Sequence, residues 1–200
     1  SKRAGEKMKT ELRRQIIHAS GIFLLPIISY FGKDSLYLIG LAIMALAVAS
    51  LFRSNRILIS NFLIKNRLIK RSEKIIENEI KKYERSREFP LMGPMTFLFG
   101  AFVSLFLFDS AIAMAAVAVL AVGDSLSTLI GKYYGRFRLI GKKTLEGSSA
   151  FFISSLLILL YLGYPNAALI AFIAALIELM PKIDDNISIP IAVGFLLTFI

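Results

Sequence analysis

Seven apolar runs separated by short polar breaks constrain this 200-residue chain more than any other feature. They fall at about 16–31, 35–52, 90–108, 110–130, 148–163, 165–180 and 187–200. A bilayer core asks for about 20 apolar residues in a helix, with a range of roughly 17–25. Several runs are shorter, a deficit that bilayer thinning or burial against neighbours absorbs. Turn-forming residues mark the breaks: Gly32-Lys33-Asp34, Phe108-Asp109 and Gly163-Tyr164-Pro165-Asn166. With 56% hydrophobic residues and a mean hydropathy of +0.67, the chain exceeds the usual apolar share of a soluble domain. The pattern predicts an all-α, polytopic integral membrane bundle of about seven transmembrane helices, forming a single domain over 1–200.

Charge orients the bundle. Of the 24 Lys and Arg residues, every one except Lys33 lies before the first run, between Arg53 and Arg87, between Lys132 and Lys143, or at Lys182. The positive-inside rule places those segments in the cytoplasm and the short turns outside. The net charge of +10 suits membrane lipids or an anionic nucleotide better than nucleic acid, given the apolar runs around it. The polar segment 53–89 reads as a basic amphipathic helix, with Ile69, Ile76, Ile80 and Tyr83 at helical spacing. It either extends the second run as a solvated helix or lies on the anionic leaflet. The chain has no cysteine, which excludes disulfides and thiolate metal sites.

The acids converge on the same side. Asp124 sits about one and a half turns from the cytoplasmic end of the fourth run, roughly 10 Å at 1.5 Å per residue. A carboxylate within a membrane-length segment costs roughly 2.5–3.5 kcal/mol on insertion scales, so its presence argues for function. Glu146 opens the fifth run, Glu178 closes the sixth, Asp184 and Asp185 form the next turn, and His18 lies about a turn inside the first. Between them runs a basic, glycine-punctuated loop over 131–147, with Gly131, Lys132, Gly135, Gly141, Lys142, Lys143 and Gly147. Hard oxygen donors favour magnesium. Lysines and glycine-exposed backbone N–H groups suit phosphates. Each residue also has a plainer reading. Asp124 can cap or hydrogen-bond within the bundle, and Gly131 with Gly135 can be a packing contact. The lysines can be topology anchors. Glu146 can favour a helix N-terminus. Glu178, Asp184 and Asp185 can form a solvated turn. His18 can be a packed histidine. The loop is no Walker P-loop, because five residues separate Gly135 from Gly141 and no Ser or Thr follows the lysine directly after Gly141.

Asp124, Ser127, Gly131, Gly135 and Lys142-Lys143-Thr144-x-Glu146-Gly147 together resemble the nucleotide signature of the CTP-dependent lipid-alcohol kinases: dolichol kinase, phytol kinase and CTP-dependent diacylglycerol kinase. Glu11-x-x-Arg14-x-x-x-His18 resembles that family's opening segment, and Glu178 to Pro190 its closing acidic turn. Ser127 stands where the family often has Ala. The resemblance implies a kinase using CTP and magnesium on a polyprenol, dolichol, phytol or diacylglycerol acceptor, in a prokaryotic cell membrane with its site facing the cytoplasm. It assigns Asp124 and His18 to catalysis. It assigns Ser127, Gly131, Lys132, Gly135, Lys142, Lys143, Thr144, Glu146 and Gly147 to the nucleotide, and Asp124, Glu146, Glu178, Asp184 and Asp185 to the metal. A homodimer is compatible with it.

Two rivals remain. A CTP:phosphatidate cytidylyltransferase shares the central motif, but its C-terminal signature is absent and Pro181 to Pro190 (PKIDDNISIP) stands in that region. A transporter would carry its charges near the bilayer middle with access from both sides, whereas these cluster on one side.

Overall fold

The computed structural model describes Gln15, residues 18–54, 92–180 and 184–200. The motif residues Glu11 and Arg14, almost all of the basic segment 53–89, and Lys182 lie outside the described residues. The described residues form helices joined by turns and loops, with one isolated antiparallel bridge between Arg138 and Thr144.

Each of the seven apolar runs holds a helix. A 3-10 turn, Ser20–Phe23, leads into α1 (Leu24–Phe31). Gly32, at φ 55°, ends α1 in a conformation that favours glycine, and α2 (Ser35–Ser54) begins three residues later. After α3 (Met92–Leu107) comes one unbroken helical rod with three parts. They are α4 (Ser110–Ala118), a π-helical stretch Val119–Asp124, and α5 (Ser125–Tyr134). Then follow α6 (Leu145–Tyr161), α7 (Ala167–Glu178) and α8 (Asp185–Phe199). The rod continues ten residues past Asp124 to Tyr134, because the helix does not stop until Gly135. Asp124 therefore lies about 15 Å from that end, deeper than the expected 10 Å.

Small residues let the rod sit at the centre. Ala113, Ala115, Ala116, Val117, Val119, Leu120 and Ala121 are buried within it. Phe151, Leu159, Ile170, Ile189 and Val193 complete the main core from α6, α7 and α8. A second cluster, Ile28, Ile39, Leu105 and Ala113, ties α1 and α2 to α3 and α4.

Two contacts show how the sequence permits this closeness. Pro190, inside α8, has no N–H, so the carbonyl of Asn186 loses its usual partner four residues on. Gly100 of α3 packs onto that carbonyl, where a Cβ would come within 1.9 Å of the oxygen. On the opposite side Lys33 donates to Leu105 O at 2.6 Å and to Phe108 O, satisfying carbonyls at the end of α3. A cation at a helix C-terminus also meets the negative end of its dipole. Lys33 thus has a local structural use.

Candidate functional site

Three carboxylates from three helices meet where α7 ends, α8 begins and the π-helical stretch closes. Asp124, Glu178 and Asp185 each offer an oxygen within 4.8 Å of the others. Their placement follows from local sequence. Asp124 is the last residue of the π-helical stretch, and such bulges re-aim a side chain relative to a regular helix. Glu178 is the final residue of α7. Asp185 is the first residue of α8, held by its neighbour Asp184, whose side chain caps the helix by accepting from Asn186 N at 3.0 Å.

Glu178 is completely buried, and every polar contact around it is directed. Ser127 Oγ of α5 donates to Oε1 at 2.8 Å, Ser148 Oγ of α6 donates to Oε2 at 3.2 Å, and Lys143 Nζ donates to Oε1. Lys143 also donates to Asp185 Oδ2 at 2.8 Å. Burial pulls the Lys143 ammonium down, but its hydrogen bonds and attraction to Asp185 and Glu178 outweigh this and leave its pKa raised. Burial pushes the Asp185 carboxyl up to about 6; Asp124 and Glu178 add to the rise and Lys143 opposes it. His18 Nε2 lies 3.1 Å from Asp124 Oδ2, within ion-pair distance. The His18 ring packs edge-on against Phe97.

The basic loop is folded back on itself. Leu139 N donates to Lys143 O, Lys143 N to Ile140 O, and Leu145 N to Phe137 O. Gly141, at φ 58°, makes the turn. Thr144 caps α6 by accepting from Gly147 N at 3.2 Å. Glu146 accepts from Arg136 N at 2.9 Å and Phe137 N at 3.3 Å, and thereby fixes the outgoing arm of the loop. Its carboxyl is held below the usual range by backbone N–H donors, its own first and then that of Arg136.

Of the residues singled out by sequence, the structure brings together Asp124, His18, Ser127, Lys143, Glu178 and Asp185. It places the others differently. Glu146 faces loop backbone instead of the other carboxylates. Asp184 caps α8. Lys132 and Lys142 are exposed. Gly131, Gly135 and Gly147 bring α5 and α6 into contact around Thr144. A Cβ at Gly147 would stand 2.8 Å from Ser127 O and 3.1 Å from Gly131 Cα. Gly147→Val is therefore expected to prise α5 from α6 and pull Ser127 and Ser148 off Glu178. Thermal stability in detergent should drop by several degrees, consistent with about 1–3 kcal/mol for overpacking. An unchanged melting curve would show that the helices can separate freely there. Ser148 was not among the residues singled out. It follows Gly147 inside an apolar helix, and only the buried carboxylate opposite explains it.

The donor set suits a hard divalent cation. All three contributors are carboxylate oxygens, and the Lys143 ammonium faces two of them, Glu178 and Asp185.

Comparisons with known proteins agree with the resemblance seen in the residues. The chain is 33% identical over 140 residues to a protein of Triticum aestivum named probable phytol kinase, chloroplastic; this covers 57% of the chain and 47% of that protein. It is 31% identical over 131 residues to dolichol kinase of Saccharomyces cerevisiae, covering 58% of the chain and 25% of that protein. It is 40% identical over 116 residues to an uncharacterized protein of Methanocaldococcus jannaschii, covering 52% of the chain and 57% of that protein. The matched region thus spans from a quarter to somewhat over half of these relatives. No family model matches, and no solved structure matches.

Proposed function

We propose that this chain, a homologue of the phytol and dolichol kinases, is a multi-pass membrane kinase that moves the γ-phosphoryl group of CTP to the hydroxyl of a membrane lipid alcohol. The observation that carries the reading is the group formed by Asp124, Glu178, Asp185, Lys143 and His18 beside the basic loop. It offers oxygen ligands, a phosphate-sized cation and an acid–base pair within one small volume. An acceptor of phytol or dolichol type follows the relatives' names.

The membrane reading has its own support. Two helical stretches, Ser20–Leu51 and Ser110–Tyr134, are long and apolar enough to cross a bilayer, although Gly32 interrupts the first. The remaining apolar helices are shorter. Large apolar side chains are exposed around the bundle, among them Phe106, Leu157, Phe172 and Phe195. Tyr30, Tyr37 and Tyr161 are exposed near the turn side, and Tyr133 and Tyr134 near the loop side, as interfacial belts require.

In this reading Asp124 and Asp185 would hold magnesium. Glu178, its oxygens already engaged by two hydroxyls and an ammonium, holds Lys143 in place. Bound magnesium would neutralise charge on the phosphate oxygens. Lys143 adds a second positive charge there. Asp124, with His18 beside it, accepts the proton of the attacking hydroxyl. The lipid oxygen bonds to the γ-phosphorus as the bond from that phosphorus to the bridging oxygen breaks, and CDP leaves. Positioning and charge neutralisation do most of the work in such transfers.

Purified protein supplied with γ-labelled CTP, magnesium and polyprenol is expected to give a labelled lipid and free CDP, and chelation of the metal should stop the reaction. Release of pyrophosphate with cytidine retained on the lipid would replace this reading by a cytidylyltransferase.

A further inference from the structure

The tip of the basic loop has a feature that nucleotide binding does not use. From Arg136 to Leu139 the chain alternates cationic and large apolar residues, Arg-Phe-Arg-Leu, and Ile140 follows. The segment bends at Phe137 and Ile140, with one bridge between Arg138 and Thr144. None of these side chains enters the core: Phe137 is 68% exposed, and Leu139 and Ile140 are each 46% exposed. The exposure is built in, because Glu146 accepts from the backbone N–H groups of Arg136 and Phe137 and fixes the arm. Lys143, on the returning side of the Gly141 turn, faces the acid group, whereas Arg136 to Lys142 are exposed.

The geometry points to this tip as a docking element for the anionic leaflet surface. Phe137 and Leu139 would enter the headgroup layer, and Arg136 and Arg138 would meet lipid phosphates. Two observations select that partner. The loop joins α5 to α6, both helices of the proposed membrane bundle, so its tip starts beside the leaflet. The alternation of cation and apolar residue also matches an interface that is negatively charged above and apolar below. Docked in this way, the tip would roof the site at the height where a lipid hydroxyl arrives. The inference rests on the membrane reading of the bundle and is independent of the identity of the phosphoryl donor.

The chain has no native cysteine, so Ile140→Cys gives a unique labelling position on the full chain. A polarity-sensitive nitrobenzoxadiazole label there is read in nanodiscs of phosphatidylcholine alone and of phosphatidylcholine with phosphatidylglycerol. In the anionic discs emission should shift to the blue, and quenching by neutral acrylamide should fall severalfold relative to the neutral discs. Raising salt from about 0.1 M to about 1 M shortens the Debye length from about 10 Å to about 3 Å and should return the label to water. Arg136→Gln with Arg138→Gln should abolish the difference between the two lipids. A label equally quenched in both discs, or equally protected in both, would overturn the proposal. So would protection conferred by CTP in detergent without lipid, which would make the tip part of the nucleotide site. Failure of the chain to co-elute with either disc would overturn the membrane reading and this inference with it, whereas co-elution with a water-exposed label sinks only the inference.

Discussion

Asp124→Asn is expected to cut turnover by about 10² or more, the scale for losing an acid–base or electrostatic group. The protein should still fold. The substitution preserves size, and an amide is cheaper to bury than a carboxylate. The site gives two reasons for the loss. Asp124 contributes one of the three oxygens that lie within 4.8 Å of one another, and an amide binds a hard cation far less well. It also lies 3.1 Å from His18 Nε2, and an amide cannot take the proton that the reaction releases. The two roles separate in the assay. Loss of metal affinity is partly offset by raising magnesium, whereas loss of the proton acceptor is not. His18→Gln should therefore lower turnover and leave the magnesium requirement unchanged. A structural role for Asp124 predicts near-normal turnover in Asp124→Asn, and that result would remove Asp124 from the site.

Much of this arrangement was legible in the sequence because hydropathy and turn residues are local signals. The seven apolar runs each hold a helix. Gly32 and the Gly163 to Asn166 turn break the chain where their composition says they should, with Gly163 at φ 82°. The acids converge because Glu178 and Asp185 flank one short turn. Long-range contacts were not legible. Nothing local says that Glu146 turns toward Arg136 and Phe137 while Glu178 turns toward Lys143, since both are glutamates at the ends of apolar helices. The glycines left two readings open for a related reason. A glycine beside a phosphate and a glycine beside another helix look alike in sequence, and the contacts of Gly131, Gly135 and Gly147 with helix backbone and Thr144 had to come from the structure. The π-helical stretch Val119–Asp124 had no signal at all, because its residues are ordinary for a buried α-helix. It is nevertheless what delivers Asp124.

Glu178 carries the largest expected effect on stability. It is fully buried, and it accepts from Ser127, Ser148 and Lys143. Glu178→Ala removes the acceptor and strands two hydroxyls and an ammonium, of which Asp185 still holds the ammonium. Breaking a buried pair by removing one partner costs about 3–5 kcal/mol. For a chain of this size that corresponds to a drop in melting temperature on the order of 10 °C, measured in detergent without metal. Glu178→Gln keeps an oxygen for the hydroxyls and should lose much less. Activity separates the two interpretations of Glu178. If it only holds Lys143, Glu178→Gln should weaken nucleotide binding and leave the magnesium requirement unchanged. If it is itself a metal ligand, the magnesium concentration for half-maximal activity should rise severalfold in Glu178→Gln. Equal melting temperatures for Glu178→Ala and the unsubstituted protein would mean that the buried network contributes nothing to the fold, and the site would then lack the rigid base on which Lys143 is placed.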